Sequence, residues 1–219
     1  SLCKKIRAAG NKLETVETVI TYGQVLTEES RRFIEDTLNA EVYNYYAASE
    51  FGTIGFECRK KNLHLAEDTV HVEFRELEPD KASRTAKTVI TNLVNSKFPA
   101  IRYSIGDLIE LSEEKCGCDL PFRTVRKVRG REDNVFENSE GEKVFPDQVM
   151  NILDANRDVL RYQFVIREDS YLLKVEPIGE KPEIELDNKL SLTDLEILET
   201  EEFFDEMDDE PAPIINQRN

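Results

Sequence analysis

The segment Tyr45-Tyr46-Ala47-Ala48-Ser49-Glu50-Phe51-Gly52 decides the interpretation of this chain, because it follows a run, Glu41–Tyr46, that predicts a β-strand. Residues 1–15 predict a helix, and the β-branched run Val16–Thr21 predicts an earlier strand. Thr27 predicts the N-cap of a second helix that extends to about Leu38. Helix–strand–helix–strand order is typical of a parallel sheet with crossover helices. Such sheets bind ligands where their strands end, so this segment is a candidate binding loop. The alternative is an ordinary strand end followed by a turn of small residues.

Composition excludes several classes of protein. The chain has 219 residues and a formal charge of −16, which disfavours binding to nucleic acid or to an anionic membrane surface. It contains no apolar run of the roughly 20 residues that a membrane-spanning helix needs. Its basic N-terminus is followed by no apolar signal core. These features predict a soluble, cytoplasmic protein whose four cysteines are thiols or metal ligands rather than disulfides.

The strand pattern predicts a mixed α+β fold in successive parts. After Gly52 the helical rhythm gives way to short strands separated by turns, among them 63–65, 101–103 and 108–111. They indicate an antiparallel or mixed, barrel-like β subdomain after the partial α/β unit. Beyond Gly130 a hairpin, one helix and further strands indicate a small α+β unit. We therefore predict a large domain over 1–129, a small domain over 130–200, and an acidic, flexible tail over 201–219.

Two further segments strengthen the first one. They are Ile101-Arg102-Tyr103-Ser104-Ile105-Gly106-Asp107 and Gly130-Arg131-Glu132-Asp133. In order and approximate spacing, the three resemble the Y-G-x-T-E, Y-R-x-G-D and G-R-x-D motifs of the adenylate-forming superfamily. From about Val16 to Glu199 the chain resembles the C-terminal half of these enzymes, most closely the phenylacetate–CoA ligase, CapK and coenzyme F synthetase branch. The resemblance implies an AMP-forming ligase that joins a carboxylic acid to ATP and then passes the acyl group to a thiol such as that of CoA.

The resemblance also implies roles for the residues of the first segment. Tyr46 would stack on adenine. Ser49, where the family has Thr, would hydrogen-bond the α-phosphate. Glu50 would hold Mg²⁺ against the phosphates, which makes Ser49 and Glu50 the candidate catalytic residues.

The remaining nucleotide-binding positions come from three other segments. Gly23 and Gln24 match an adenine-binding turn after a strand, with Gln in place of the family's Glu. Asp107 would accept hydrogen bonds from two ribose hydroxyls, and Arg131 would donate to ribose or phosphate. Asp133 would be the hinge of a small lid domain. Taken singly, Asp107 is equally consistent with a turn cap and Arg131 with a surface charge.

Four residues have the chemistry of a zinc site. Thiolate and imidazole groups suit tetrahedral zinc, and four of them leave no open position for a substrate. The candidate ligands are Cys58, His64, Cys116 and Cys118. The phenylacetate–CoA ligase branch has a similar Glu-Cys, Leu-His and C-x-C pattern. The alternatives are a half-buried strand histidine and a chance C-x-C pair; Cys3 and His71 have no such pattern and are interpreted as structural.

The sequence departs from the family in three respects. The family's phosphate loop precedes these motifs and is not in the sequence, which suggests a fragment or a natural truncation. Ala47 and Ser104 stand where the motifs have Gly and Arg. Where a catalytic Gly-Lys is expected, the chain has Asp208-Asp209-Glu210-Pro211-Ala212. We therefore expect the chain alone to be inactive in adenylation.

Two functions remain open at this point. One is the C-terminal portion of an acyl-CoA ligase that uses ATP and Mg²⁺. The other is a zinc-stabilised, degenerate homologue that binds a nucleotide or a partner without catalysis. Expected partners are a nucleotide, a carboxylic acid, CoA, and either a second copy of the chain or a missing N-terminal half.

Overall fold

The computed structural model describes residues 2–10, 15–77, 84–112, 114–179, 182–200 and 212–218. The chain forms two compact units, each assembled from separate segments. One comprises residues 16–26 and 40–132, and the other residues 1–15, 27–39 and 133–219. We call them the sheet unit and the C-terminal unit. In the described part of the chain, no helix has the length and apolar character required to cross a membrane.

The sheet unit contains one eight-stranded sheet. Its strands follow the order β1-β2-β3-β4-β8-β7-β6-β5 across the sheet. The strands are β1 (Thr18–Thr21), β2 (Glu41–Ala48), β3 (Gly52–Glu57), β4 (Leu63–Leu65), β5 (Val70–Glu76), β6 (Thr85–Asn92), β7 (Tyr103–Leu111) and β8 (Thr124–Arg131). β1 and β2 are parallel, and every other neighbouring pair is antiparallel. Side chains of its own strands form a hydrophobic core that includes the fully buried Ile54, Leu65 and Ile90.

The mixed α+β class is confirmed, but the barrel-like arrangement is not. The strand order is open and ends at β1 and β5, so the β-rich strands do not close on themselves. They also continue the parallel β1–β2 pair in the same sheet. Where two strands are predicted, at 101–103 and 108–111, the structure has the single strand β7 from Tyr103 to Leu111, in which Gly106 has a φ of +79°. Glycine permits this left-handed backbone, so the strand can bulge without ending.

The C-terminal unit is a small α+β structure. Its helices are α1 (Leu2–Ala8), α2 (Glu28–Leu38), α3 (Pro146–Ala155) and α4 (Leu186–Leu190). A hairpin of β9 (Phe136–Glu137) and β10 (Lys143–Val144) precedes α3. A second sheet has the order β13-β12-β11-β14, formed by β11 (Val159–Ile166), β12 (Tyr171–Pro177), β13 (Leu195–Glu199) and β14 (Ile214–Asn216).

Local sequence explains where α2 begins and ends. The Thr27 hydroxyl accepts a hydrogen bond from the backbone N–H of Ser30 at 3.1 Å, as an N-cap residue does. Asn39 ends the helix in the left-handed conformation that asparagine tolerates better than most residues. The carboxylate of Asp154 on α3 accepts bonds from the hydroxyls of Thr27, Ser30 and Tyr162 at 2.6–2.9 Å, which joins α2 to α3 and β11.

Some predicted elements extend beyond the residues that the structure describes. The predicted N-terminal helix over 1–15 is seen as Leu2–Ala8, and residues 11–14 lie outside the described residues. Most of the acidic tail, including Asp208, Asp209 and Glu210, also lies outside them. The domain division at 129/130 stays a prediction; the border between the two compact units falls between Glu132 and Asp133.

Candidate functional site

Two loops of the predicted nucleotide site follow the C-terminal ends of neighbouring parallel strands. β1 and β2 run parallel with Thr21 paired to Asn44, so Gly23 and Gln24 follow β1 where Tyr46 approaches the end of β2. Gly23 has a φ of +87°, which favours glycine at this turn, and both residues of the turn are exposed.

The β2–β3 turn presents the two predicted catalytic residues. The backbone N–H of Phe51 donates to the carbonyl of Ala48 at 3.1 Å and closes the turn. Ser49 is exposed within it, and Glu50 is half-buried. Both side chains therefore lie on a short turn anchored by the two flanking strands.

Tyr46 and Asp107 form the centre of the candidate site. The Tyr46 hydroxyl donates a hydrogen bond of 2.8 Å to Oδ2 of Asp107 on β7. Burial, together with the neighbouring Asp107 charge, raises the pKa of the Tyr46 phenol well above its usual value, so Tyr46 remains a donor. The Tyr46 side chain is only 7% exposed, which leaves a ligand little of its ring to contact.

Arg131 lies beside Asp107 on the adjacent strand. The two residues are cross-strand neighbours in the β7–β8 pair. The Arg131 guanidinium also approaches Gly106 so closely that a Cβ there would lie 3.3 Å from it. A side chain at position 106 would therefore crowd the guanidinium.

The electrostatics of Asp107 connect four predicted site residues. Burial raises the pKa of the Asp107 carboxyl, and the Glu50 charge raises it further. The hydrogen bond from Tyr46 and the charge of Arg131 act in the opposite direction. The structure therefore brings Tyr46, Glu50, Asp107 and Arg131 into one electrostatic environment, while the individual roles assigned to them stay predictions.

The two motif departures have visible structural contexts. Ala47 lies within β2 without a positive φ, so its backbone does not require glycine. Ser104 is exposed on β7. The nearby Arg102 is paired at 3.1 Å with Glu73 of β5.

The four cysteine and histidine side chains form a compact cluster. Their ligand atoms all lie within 4.8 Å of one another. The Sγ atoms of Cys58 and Cys116 are 3.7 Å apart, and Sγ of Cys118 is 3.3 Å from Nε2 of His64. Zinc–sulfur bonds of about 2.3 Å in a tetrahedron place two sulfurs about 3.8 Å apart. The arrangement therefore fits a tetrahedral ion.

The surroundings of the cluster suit metal ligands. Nδ1 of His64 is 3.0 Å from the carbonyl of Phe122, so it is the protonated nitrogen and Nε2 has a free lone pair. Although burial disfavours the Cys58 thiolate, hydrogen bonds from the backbone of Asn62 and Lys60, together with interactions with the Cys116 and His64 side chains, lower the pKa of Cys58 to about 7. His64 is fully buried, and its ring stacks on Phe56 with centroids 6.4 Å apart.

Thr88 is a site residue that sequence reasoning missed. It is fully buried in the middle of β6, and its hydroxyl hydrogen-bonds both the Tyr46 hydroxyl and the backbone of Asp107. None of the three motifs contains it. A buried threonine in a strand pattern gives no functional signal in a single sequence.

Comparison with known proteins agrees with these observations. The chain is 29% identical over 192 residues to the phenylacetate-coenzyme A ligase of Thermus thermophilus, covering 80% of this chain and 42% of that protein. It is 25% identical over 149 residues to the protein CapK of Staphylococcus aureus, covering 65% of this chain and 31% of that protein. The resemblance to the phenylacetate–CoA ligase-like branch of the adenylate-forming superfamily is confirmed.

Solved structures support the fold assignment. A crystal structure of 2-hydroxyisobutyryl-CoA ligase in complex with 2-HIB-AMP matches with a TM-score of 0.76 and 18% identity, over 98% of this chain and 52% of that chain. The chain thus spans about half the length of this protein and less of the curated relatives. No family model matches the sequence.

Proposed function

We propose that the chain is the C-terminal portion of an AMP-forming acyl-CoA ligase that activates a carboxylic acid with ATP. One observation carries this proposal: residues from the three separate motifs, Tyr46, Asp107 and Arg131, meet at one place in the sheet unit. The similarity to phenylacetate-coenzyme A ligase and CapK supports the same reaction class.

The side chains suit an adenosine nucleotide. The Asp107 carboxylate accepts hydrogen bonds from the two ribose hydroxyls, and Arg131 donates to ribose or phosphate. Ser49 donates to the α-phosphate from the β2–β3 turn. Glu50, whose charge acts on Asp107, holds a Mg²⁺ ion that screens the phosphate charges. Asp133, at the border of the compact units, serves as the hinge.

The reaction requires fixed donors because its two reactants are anionic. A carboxylate approaching the α-phosphate is repelled, so positive charge and aligned donors are needed where negative charge accumulates. Ser49 and Arg131 supply donors of this kind from the chain. The acyl group then passes to the thiol of CoA. We assign CoA binding to the whole protein rather than to these residues alone.

Nucleotide binding tests the proposal directly. We expect the chain to bind AMP in isothermal titration calorimetry, and Asp107→Asn to weaken binding about tenfold or more, because the lost carboxylate accepts charge-assisted bonds. Asp68→Asn, on an exposed turn of the same unit, is the matched control and should leave affinity unchanged. Equal affinity in all three proteins would exclude Asp107 from the site.

A degenerate homologue that binds nucleotide without adenylation is the second candidate. The observation that favours it is Ser104, an exposed uncharged residue where the family motif has Arg. Pyrophosphate release with ATP, Mg²⁺ and a panel of aryl and fatty acids separates the two functions. AMP binding without pyrophosphate release by the chain would support the second, whereas turnover abolished by Glu50→Ala would support the first.

We further propose that the cluster of Cys58, His64, Cys116 and Cys118 binds one structural zinc ion. Four protein ligands close the coordination shell, so no position remains for a reacting water. The ion would join the β3–β4 turn to the segment between β7 and β8, which are more than 50 residues apart in the chain. Such a link adds to stability because the unfolded chain has no preformed site.

A further inference from the structure

Thr88 occupies a special position in the sheet. β6 pairs with β7 through Lys87 and Leu108 on one side of it and through Val89 and Ser104 on the other, so the register shifts at Thr88. Residues 105–107 of β7 form the bulge opposite this shift. A bulge re-aims the side chains of its strand, and here it carries Asp107.

The Thr88 hydroxyl connects the two central residues of the candidate site. Its Oγ1 donates to the backbone carbonyl of Asp107 at 3.2 Å and also lies in hydrogen-bonding contact with the Tyr46 hydroxyl. Having one proton, the hydroxyl donates to one of them at a time. The Thr88 side chain is fully buried, so water does not compete for these bonds.

We propose that Thr88 is a positioning residue whose hydroxyl fixes the β7 bulge and the Tyr46 hydroxyl, so that the Asp107 carboxylate is aimed at a ribose diol. The ligand part of this inference rests on the proposed function. The positioning part does not, because it concerns contacts within the free chain. Thr88 itself touches no reacting group; it acts through Tyr46 and Asp107.

Two substitutions isolate the hydroxyl. Thr88→Val keeps the branched shape but removes the hydroxyl, and Thr88→Ser keeps the hydroxyl but removes a methyl group. We expect Thr88→Val to weaken AMP binding about fivefold, the value of one hydrogen bond, and Thr88→Ser to restore most of the affinity. A packing role alone predicts the opposite order, because serine loses the volume that valine retains.

A second measurement needs no nucleotide. The Asp107 carboxyl can be titrated by ¹³C NMR, and the groups that face it are Tyr46, Glu50 and Arg131. Because the Tyr46 hydrogen bond lowers the pKa of Asp107, we expect Thr88→Val to raise that pKa and Thr88→Ser to leave it close to the wild-type value. Thr69→Val removes a hydroxyl-to-carbonyl bond of 3.1 Å elsewhere in the same unit and should change neither quantity.

The outcomes distinguish the two proposals. If the wild-type chain binds no AMP but the Asp107 pKa shifts as expected, the proposed function fails and the positioning role stands. If AMP binds and Thr88→Val changes neither affinity nor the Asp107 pKa, the positioning role is overturned and the proposed function stands. Circular dichroism melting shows whether each variant folds. If Thr88→Val does not fold, Thr88→Ser decides alone. An Asp107 pKa in Thr88→Ser that differs from the wild-type value would then contradict the inference.

Discussion

Tyr46→Phe is expected to destabilise the sheet unit in a pH-dependent way. The substitution keeps the buried ring, so it leaves no cavity, and removes only the 2.8 Å hydrogen bond to Asp107. A hydrogen bond to a charged group contributes about 1.5–3 kcal/mol, against about 0.5–1.5 kcal/mol for a neutral pair. We therefore expect the free energy of unfolding to fall by about 2 kcal/mol where Asp107 is ionised, and by about 1 kcal/mol where it is protonated.

The sign follows from the direction of the Asp107 pKa shift. Burial holds the pKa of Asp107 above its unfolded value, so in the wild-type chain this group lowers stability as pH rises from the unfolded pKa to the folded one. Tyr46→Phe removes an interaction that lowers the folded pKa. In the variant the decline therefore continues beyond the folded pKa of the wild type, up to the higher folded pKa of the variant. The difference in stability between the two proteins grows between these two pKa values and is constant at higher pH.

Urea unfolding measures the free energy of unfolding of each protein, and repeating it across pH gives the pH dependence. The chain has no tryptophan, so far-UV circular dichroism is the suitable signal, recorded from pH 7.5 down to the lowest pH at which the wild type is folded. Tyr43→Phe is the matched control on the same strand, because the Tyr43 hydroxyl also bonds a carboxylate, Glu41, but in solvent. A loss that is independent of pH, or no larger than that of Tyr43→Phe, would refute the reasoning.

Three further outcomes are expected. Purified chain should contain about one equivalent of zinc by atomic absorption, and Cys118→Ala should lose most of it and melt at lower temperature; full zinc content in the variant would contradict the ligand assignment. Glu50→Gln should remove the Mg²⁺ dependence of ATP affinity while changing AMP affinity little, measured by calorimetry with and without Mg²⁺; an unchanged dependence would place the ion elsewhere. Asp154→Asn should lower the free energy of unfolding by about 2 kcal/mol in urea, because its carboxylate accepts three hydroxyl bonds; a change below about 0.5 kcal/mol would show that these bonds contribute little.

Elements with strong local signals were predicted well from the sequence. The strand Leu63–Leu65 and the helix ending at Leu38 agree with the structure, because side-chain pattern and capping determine them locally. The strand Ile214–Asn216 was missed. It is three residues long and is formed by parallel pairing with β11, some fifty residues earlier in the chain, so nothing within it identifies it as a strand.

A local sequence pattern also does not determine whether the β-rich strands close into a barrel. Alternating residues and turns indicate that strands exist, but an open sheet and a barrel differ only in which strands pair at the ends. Here β4 pairs with β3 on one side and with β8, not β5, on the other. This joins β2–β3–β4 to the meander β5–β8 and leaves β1 and β5 as edges. The pairing is a long-range choice, and propensity does not contain it.

For the candidate site, the motifs predicted which side chains meet but not how they interact. Stacking of the Tyr46 ring on adenine stays a prediction. The structure adds that most of Tyr46 is buried and that its hydroxyl bonds Asp107. The contact depends on the bulge at Gly106 and on Thr88 of a third strand. Neither feature can be inferred from the order of motifs along the chain.

The position of the cysteine–histidine cluster in the sheet separates its proposed role from that of the candidate nucleotide site. β8 connects the two: Thr124 at its start pairs with His64, and Arg131 at its end pairs with Asp107. The seven residue steps between them, at about 3.3 Å each, place these ends roughly 23 Å apart. At that distance a bound ion cannot contact a nucleotide held by Asp107, so it influences that site only through the strands. A closed set of four ligands at the far end of the same strands is therefore suited to fixing the sheet that presents Asp107 and Arg131, and not to the chemistry performed beside them.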